Sequence, residues 1–328
     1  MKRSAKKILV TGASGFLGSH ICEAAHEAGY EVHALIRETS SRQWLKYYWL
    51  NLHTVDLNEC SDIASLLKQM DAVIHNAGAT NEIDTEIYHK VNVEGTKNLV
   101  EECIKAGVRR FVFISSHAAG GPTEDKITKT EEDPDCPISR YGKSKKEAEE
   151  VLYSFRDRIE VVSLRFPTIY GPRGTELLGV FKMLSSFIKP HPGFRPTYVS
   201  MLYVTDAAKA AVAAVTANVK SGSFYYINDG MDYLVTMEYL YNLISDSLGS
   251  KGILIKLPFF LLDVAVFILV KLLKKRTPLT PDKVKEMKAQ FWVASSDKAQ
   301  KELGWRPEVL LREGIKRTTE WYRTYQWI

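Results

Sequence analysis

Apolar and polar positions along the first half of the chain alternate between two periods, which predicts strands separated by helices. Short apolar, mostly β-branched runs are typical of buried strands, and apolar positions three or four residues apart are typical of helices. The predicted strands lie at 8–10, 31–36, around Val55 and ending at 56–57, 72–75, 111–114, 161–166 and 224–227. The predicted helices between them lie at 16–28, through 66–67, at 86–105 and at 139–155. This order implies an α/β fold with a doubly wound parallel sheet.

The first predicted strand runs into a turn with the spacing G-x-x-G-x-x-G, formed by Gly12, Gly15 and Gly18. Such a turn lets backbone N–H groups approach a pyrophosphate at the positive end of a helix dipole. The usual dinucleotide fingerprint is G-x-G-x-x-G, and a glycine triplet also occurs in ordinary tight turns. The strand before the glycines and the helix after them supply the required context, so we predict nucleotide binding here.

After Pro167 the pattern loosens, which predicts a second, smaller and mixed lobe. We expect a dinucleotide-binding domain over 1–170, to which 198–230 returns, and a substrate-binding lobe over 171–197 and 231–328. Helices are predicted from a Thr205-Asp206 cap to about 217, and near 237–248, 259–273 and 281–287.

An apolar run over 257–273 precedes Lys274, Lys275 and Arg276. The run contains Asp263 and Lys271 and is short for a membrane-spanning helix. We favour a buried or pocket-lining helix. The alternative is a weak contact of 257–276 with a membrane surface, in which the basic residues meet lipid head groups.

The 328 residues suit one large α/β domain, or a main domain with a smaller lobe. The net charge is +5, but lysine and arginine are spread out, so we predict a small-molecule substrate and no nucleic-acid partner. The four cysteines lie far apart without metal-ligand spacing. We therefore predict no metal site, and we expect reduced thiols in a cytoplasmic protein.

Tyr141 and Lys145 lie four residues apart in a predicted helix and therefore share one face. A phenol is a poor acid or base at neutral pH, but a nearby ammonium stabilises the phenolate and lowers its pKa. Tyr141 is thus a candidate proton donor or acceptor, and Lys145 is the candidate group that lowers its pKa. Two surface residues of an amphipathic helix would have the same spacing. This pair, however, follows a glycine turn and Ser115-Ser116 at a strand end, and that combination favours chemistry.

Together these motifs resemble the extended short-chain dehydrogenase/reductases, which include the NAD-dependent epimerase/dehydratase enzymes, dihydroflavonol reductases and 3β-hydroxysteroid dehydrogenases. The resemblance rests on the glycine turn, the strand-end serines, the Tyr141–Lys145 pair and the segment Arg165-Phe166-Pro167-Thr168-Ile169-Tyr170-Gly171-Pro172. It covers nearly the whole chain, because Gly304-Trp305-x-Pro307 and Trp321-Tyr322 match the C-terminal pattern. It implies a Rossmann-type sheet and a homodimer formed through the helices near 86–105 and 139–155.

The resemblance also implies roles for individual residues. Tyr141 would be the acid/base, Lys145 would hold the nicotinamide ribose and lower the tyrosine pKa, and Ser116, rather than Ser115, would bind the substrate oxygen. Asn92 would be structural or part of a proton relay. Beyond Tyr141 and Lys145, the implied cofactor-binding residues are Gly12, Ser14, Gly15, Phe16, Leu17 and Gly18 in the turn, Asp56 and Leu57 at the adenine, Ala77 and Gly78 at the adenosine ribose, and Pro167, Thr168 and Ile169 at the nicotinamide.

The end of the second predicted strand bears on the choice of cofactor. NAD enzymes commonly carry an acidic residue there for the ribose hydroxyls. This chain has Arg37 near that position, followed by Ser40, Ser41 and Arg42. Because a guanidinium binds a 2′-phosphate in a bidentate manner, we predict NADP(H) over NAD(H). Glu38 is the competing residue, since its carboxylate could bind the ribose instead.

The segment after the serines, His117-Ala118-Ala119-Gly120-Gly121-Pro122, resembles the steroid and flavonoid enzymes more than the epimerases. His117 would either contact substrate or fill space in a turn. The C-terminal lobe has an apolar run and no evident basic cluster for a sugar diphosphate, although Arg195 lies in a loop where epimerases bind one. We therefore predict one hydride transfer on a fairly apolar alcohol or ketone. A nucleotide-sugar epimerase or dehydratase, or a non-catalytic cofactor-binding regulator, is the alternative.

Overall fold

The computed structural model describes residues 6–55, 63–80, 82–124, 127–230, 234–272 and 280–328. The strands are β1 (Lys7–Thr11), β2 (Glu31–Ile36), β3 (Asn51–Thr54), β4 (Ala72–His75), β5 (Arg110–Ser116), β6 (Glu160–Phe166), β7 (Thr168–Tyr170), β8 (Ile188–Pro192), β9 (Tyr198–Val199), β10 (Met201–Tyr203), β11 (Ser223–Tyr226), β12 (Val235–Thr236), β13 (Ile253–Leu257) and β14 (Phe291–Trp292). The helices are α1 (Phe16–Glu27), α2 (Ile63–Leu67), α3 (Glu86–Tyr88), α4 (Gly95–Ala106), α5 (His117–Gly120), α6 (Arg140–Ser154), α7 (Leu178–Leu184), α8 (Val204–Thr216), α9 (Met237–Leu248), α10 (Phe259–Val266), α11 (Pro281–Lys288), α12 (Asp297–Leu303) and α13 (Leu311–Thr324). Two π-helical segments, His89–Glu94 and Phe267–Leu272, continue α3 and α10.

The main sheet has seven parallel strands in the order β11-β6-β5-β4-β1-β2-β3. Strand β1 lies between β2 and β4, and Val10 pairs with Ala34 on one side and with Ile74 on the other. The order in which strands are added to the sheet reverses between β1 and β4. In doubly wound sheets ligands bind at this switch point, outside the carboxyl ends of the strands. The predicted α/β fold with a Rossmann-type sheet is confirmed.

Apolar side chains cover both faces of the sheet. One cluster packs α1 and α8 against the strands, with Ile21 and Ala211 fully buried. The other packs α2, α4 and α6 against the opposite face, with Val100 and Leu152 fully buried. Burying a side chain of this size stabilises a fold by about 1.5–3 kcal/mol, so the two layers hold the strand ends in fixed positions.

A third apolar cluster lies in the C-terminal part of the chain, apart from the sheet. Phe181, Ile244 and Tyr322 are buried in it, and they bring together α7, α9 and α13. This cluster is consistent with a smaller C-terminal lobe. The domain boundaries given above remain predictions.

The structure differs from the predicted elements at several points. Strand β3 ends at Thr54 rather than at 56–57, and Val55 only donates a backbone hydrogen bond to Ile36. The predicted helix over 86–105 is interrupted by the π-helical segment. Asp206 does not cap α8. Its carboxylate instead accepts hydrogen bonds from the backbone N–H groups of Glu308 and Val309, at 3.0 and 2.9 Å.

The favoured interpretation of the apolar run as a buried helix is wrong for α10. Val266 is buried, but Phe260, Val264 and Phe267 have 61%, 50% and 57% of their surface exposed. Apolar composition alone does not determine burial, because burial needs a neighbouring surface that packs on the helix.

Candidate active site

The glycine turn lies at the carboxyl end of β1 and is fastened to the turn after β4. Gly12 has a φ of +63°, and a Cβ there would lie 2.8 Å from the backbone of Ala77, so only glycine fits. The Asn76 side chain donates to the Gly12 carbonyl oxygen at 3.2 Å. Helix α1 then begins after Gly15 with no side-chain cap on its N-terminal N–H groups. These free N–H groups are suited to an anion such as a pyrophosphate.

A buried chain of hydrogen bonds joins this turn to the π-helical segment. The Ala77 N–H donates to Thr11 Oγ1, which lies 2.7 Å from His75 Nδ1, and His75 Nε2 lies 3.1 Å from Thr96 Oγ1. Thr96 in turn donates to the carbonyl oxygen of Asn92. Burial lowers the pKa of His75 to about 3, so its imidazole is neutral. Since Thr96 donates to Asn92, the neutral His75 carries its proton on Nε2 and donates it to Thr96, while Thr11 donates to His75 Nδ1.

Ser116 and Tyr141 meet at the carboxyl end of β5. Ser116 ends β5 and caps α5, where its Oγ accepts from the Ala118 N–H at 3.1 Å. Its hydroxyl also lies close enough to the Tyr141 phenol to lower the pKa of that phenol. Ser115 points elsewhere, because its hydroxyl donates to Glu149 at 2.6 Å within the buried pair that Glu149 forms with Arg165. Of the two predicted serines, only Ser116 is therefore placed beside the tyrosine.

Burial raises the pKa of the Tyr141 phenol above its usual value, the nearby Ser116 hydroxyl lowers it, and the carboxylates of Glu176 and Glu286 raise it. Lys145 is not among these leading influences. The expectation that Lys145 lowers the tyrosine pKa stays a prediction. The Lys145 ammonium itself donates to the Ile114 carbonyl oxygen at 2.9 Å.

Lys145 is almost completely buried, with 4% of its surface exposed. Burial lowers the pKa of its ammonium to about 8, and the carboxylate of Glu149 raises it. The Nζ lies over the Phe113 ring, 4.6 Å from the ring centre. A Cβ on Gly78 would lie 3.2 Å from this Nζ. A side chain at position 78 would therefore crowd the ammonium, and glycine avoids this contact. Gly78 and Lys145, both predicted site residues, are thus neighbours.

Asn92 lies in the π-helical segment, a kind of distortion that is frequent at functional sites. Its side-chain oxygen accepts from the Ala79 N–H at 2.7 Å, and its amide donates to the Ala79 carbonyl oxygen and to Ser144 Oγ. Ser144 donates to the Tyr141 carbonyl oxygen at 2.8 Å. The amide of Asn92 therefore joins the β4 turn to α6. These contacts favour the structural role over a proton relay.

Helix α6, which carries Tyr141 and Lys145, begins against α11 from the C-terminal part of the chain. The Asp282 carboxylate accepts from the backbone N–H groups of Arg140 and Tyr141, at 2.7 and 3.2 Å. Ser139 caps the helix through Gly142 and donates to Glu286 at 2.7 Å. The sequence predicts the helix start near 281 but gives no sign of this contact. Asp282 and Arg140 are 142 positions apart, and local patterns do not report such distant pairs.

The remaining predicted cofactor-binding residues surround the same edge of the sheet. Arg37 and Arg42 lie on the exposed loop after β2, and neither guanidinium is in an ion pair with a residue that the structure describes. Pro167, Thr168 and Ile169 are half-buried directly after β6. Ser14 lies in the turn, while Leu17 is buried in the core. The Phe16 ring lies against Gly174. Asp56 and Leu57 lie outside the described residues.

His117 follows Ser116 but does not join it. The ring is buried edge-on to Tyr226 at 5.1 Å, and burial lowers its pKa to about 3. Its Nε2 has no hydrogen-bond partner in the described part of the chain. This placement favours the space-filling interpretation over a substrate contact.

The residues present fit a nicotinamide dinucleotide on structural grounds. The uncapped start of α1 and the close turn at Gly12 suit a pyrophosphate. Lys145 and the side-chain-free Gly78 lie at the carboxyl ends of β4 and β5, beside the switch point. Lys145 is the group that would hold the nicotinamide ribose. Arg37 and Arg42, which have no ion-pair partner among the described residues, would serve the other end of the molecule.

Comparison with known proteins gives the same picture. Residues 8–228 match the NAD dependent epimerase/dehydratase family. The chain is 28% identical to a decarboxylating sterol-4-alpha-carboxylate 3-dehydrogenase of Candida albicans, over 98% of this chain and 99% of that protein. It is also 28% identical to a putative UDP-glucose 4-epimerase of Methanocaldococcus jannaschii, over 96% and 98% of the two chains.

Among solved structures, the UDP-glucose 4-epimerase of Thermus thermophilus in complex with NAD superposes with a TM-score of 0.78 at 25% identity, over 97% of this chain and 99% of that one. The predicted resemblance and the prediction of an enzyme are thereby confirmed. The chain is a member of the NAD dependent epimerase/dehydratase family, within the extended short-chain dehydrogenase/reductases.

Proposed function

We propose that this enzyme transfers a hydride between NADP(H) and a fairly apolar secondary alcohol or ketone, with Tyr141 as acid/base. The observation that carries the proposal is the closeness of the Ser116 hydroxyl, at the carboxyl end of β5, to the Tyr141 phenol, whose pKa it lowers. Two hydroxyl groups this close together suit the binding of one carbonyl oxygen by both.

In the reductive direction, Ser116 donates a hydrogen bond to the substrate oxygen and polarises the carbonyl. Tyr141 gives its proton to the same oxygen. Because burial raises the pKa of Tyr141, the phenol keeps its proton at neutral pH, as a general acid requires. Lys145, with a pKa of about 8, is mostly cationic at neutral pH, and its charge favours the phenolate left behind. The nicotinamide supplies or accepts the hydride when it is bound.

The substrate class rests on the character of the C-terminal part of the chain. Segments that follow the sheet expose large apolar side chains, among them Phe187 with 66% and Phe194 with 65% of their surface exposed. Arg195 is exposed beside Phe194, without a basic neighbour on either side. A sugar diphosphate needs several cationic partners, whereas a sterol-like ring system needs apolar surface. The similarity to a sterol dehydrogenase supports the same class.

The cofactor preference rests on the loop after β2. Arg37 follows the strand directly, and its backbone N–H donates to Ser40 Oγ at 3.1 Å, which closes a turn. The two free guanidinium groups of Arg37 and Arg42 suit a 2′-phosphate. The family includes a structure with bound NAD, so NADP(H) over NAD(H) is a proposal about this chain's own loop.

The test incubates the purified chain with NADPH and a panel of sterol-like ketones, flavonoid-like ketones and UDP-glucose. Loss of the reduced-nicotinamide absorbance with an apolar ketone supports the proposal. Turnover of UDP-glucose without net change in that absorbance would instead support an epimerase, which the similarity to UDP-glucose 4-epimerases keeps as the second candidate. Ser116→Ala should abolish the reaction, and the exposed Tyr153 on the same helix provides the matched control Tyr153→Phe.

A further inference from the structure

The strand pair β8–β13 has one face made of apolar side chains. In this parallel pair Ile188 lies beside Ile253, Pro190 beside Ile255, and Pro192 beside Leu257. Side chains alternate along strands, so these six residues share one face. Ile188 and Ile253 have 60% and 59% of their surface exposed. The intervening Lys189 and His191 are buried on the other side.

Helix α10 continues this exposed apolar surface. Phe260, Leu261, Val264, Phe267 and Ile268 follow helical spacing and have 41–61% of their surface exposed. The connection to the strands is direct, since Gly193 donates to the Leu257 carbonyl oxygen at 2.7 Å and the Phe259 ring packs on Gly193. We call the exposed sides of β8, β13 and 259–268 together the apolar face. Monomeric proteins rarely expose this many neighbouring large apolar side chains unless the surface binds a partner.

The sequence that contains β13 and α10 has a strongly biased charge. Six residues between 251 and 276 are lysine or arginine and only Asp263 is acidic, so this stretch carries a net charge of +5. The whole chain also carries +5, which means that the remainder is balanced. Asp263 is itself paired with Lys288 at 2.8 Å, and Lys256 is paired with Glu238 at 2.9 Å. An apolar surface formed by a cationic stretch of chain is complementary to an anionic bilayer.

Within the described ranges, none of the helices has the length and apolar character that crossing a membrane requires.

We propose that the apolar face is a peripheral membrane-binding surface. Its phenylalanine and isoleucine side chains enter the boundary between head groups and acyl chains, and the neighbouring lysine and arginine residues bind anionic head groups. The face is close to the catalytic helix, because the Asp263–Lys288 pair joins α10 to α11, and α11 caps α6 through Asp282. Membrane binding needs neither cofactor nor substrate. The outcome of the membrane test therefore does not depend on whether the proposed function is correct.

The test is flotation of the full chain with vesicles of phosphatidylcholine, with and without phosphatidylglycerol. We expect the wild type to float with the anionic vesicles, and added salt should weaken this binding. The double substitution Phe260→Glu/Phe267→Glu should reduce the bound fraction by more than roughly tenfold. Lys274→Ser/Lys275→Ser/Arg276→Ser should remove the preference for phosphatidylglycerol. Leu310→Glu is the matched control, since Leu310 has 65% of its surface exposed but lies outside the face.

Circular dichroism and thermal unfolding establish that each variant is folded. Failure of the folded wild type to float, or equal flotation of the wild type and the Phe260/Phe267 variant, would overturn the proposal. Equal binding to both vesicle types would contradict the claim that the face prefers anionic lipid head groups. Sedimentation without vesicles tests whether the apolar face instead binds a second copy of this chain. If the wild type self-associates through this face and the Phe260/Phe267 variant does not, while neither floats, the face binds a second copy instead.

Discussion

Asp282 accepts a hydrogen bond from the backbone N–H of Tyr141 at 3.2 Å, so a carboxylate from α11 holds the first turn of the helix that carries the proposed acid/base. The same carboxylate accepts from Arg140 at 2.7 Å. A negative charge at a helix N-terminus is favourable, and here it also fixes where that helix begins. The C-terminal part of the chain therefore positions the proposed proton donor as well as contributing apolar surface.

Asp282→Ala should lower kcat by about tenfold and leave the NADPH Kd within about twofold, because the geometry of proton transfer loosens while the dinucleotide contacts remain. Asp282→Asn should recover most of the activity, since an amide oxygen still accepts the two hydrogen bonds. Steady-state kinetics and NADPH titration separate the two effects. Asp297→Ala, in the exposed first turn of α12, is the control. A loss of NADPH affinity that accounts for the whole loss of activity would contradict this positioning role.

The pH dependence of the reductive reaction should follow Lys145. The active form is protonated, so activity is present below the pKa of about 8 and is lost as the pH rises through it. We expect kcat/KM to be flat near pH 7 and to fall about tenfold per pH unit well above 8. Lys143→Met, at an exposed position on the same helix, should retain this profile. A kcat/KM that stays constant to pH 10 would exclude Lys145 as the titrating group.

Lys145→Met should make the protein more stable while abolishing activity. Burial lowers the Lys145 pKa from 10.5 to about 8, and each pH unit corresponds to about 1.4 kcal/mol of cost for the charged form. Loss of the hydrogen bond to Ile114 offsets about 1 kcal/mol of the gain. We therefore expect the free energy of unfolding at pH 7 to rise by about 2–3 kcal/mol, measured by urea denaturation. An inactive variant that is also less stable would show that the ammonium stabilises the fold.

Gly78→Ala should reduce activity without unfolding the protein. Its Cβ would lie 3.1 Å from Asn92 Oδ1 and 3.2 Å from Lys145 Nζ, so the flexible lysine end must move. We expect a loss of roughly tenfold in kcat/KM, in keeping with displacement of a positioned group. Gly179→Ala is the matched control because nothing lies within 4 Å of its added Cβ. Equal activities of the two variants would mean that the position of Lys145 tolerates this shift.

The sequence predicted the sheet and the Ser116, Tyr141 and Lys145 set because both have local signals. Apolar periodicity marks strands and helices, and a tyrosine and a lysine four residues apart share a helix face in any helix. The cap by Asp282 has no such signal, since the partners are 142 positions apart. Likewise, the hydrogen bonds of His75 depend on three elements meeting in space. The exposure of Phe260 depends on what packs against α10, which composition does not reveal.

The loop after β2 provides a paired test of cofactor preference. Arg37→Ala should raise the KM for NADPH by about tenfold or more and leave the KM for NADH unchanged, because only NADPH has the 2′-phosphate. Glu38→Ala, at the adjacent exposed position, should leave the KM for NADPH unchanged. If Glu38→Ala instead weakens NADH binding and Arg37→Ala has no effect, the carboxylate binds the ribose and the preference is for NAD(H).

The central claim, that Tyr141 gives a proton to an oxygen that Ser116 binds, is tested most directly by the kcat/KM of Tyr141→Phe with the ketone that the wild type reduces. We predict a loss of at least about 10²-fold, with NADPH binding and thermal stability retained and with Tyr153→Phe equal to the wild type. A Tyr141→Phe enzyme that binds NADPH and retains more than about a tenth of wild-type kcat/KM would contradict the account, because a general acid supplies at least that much.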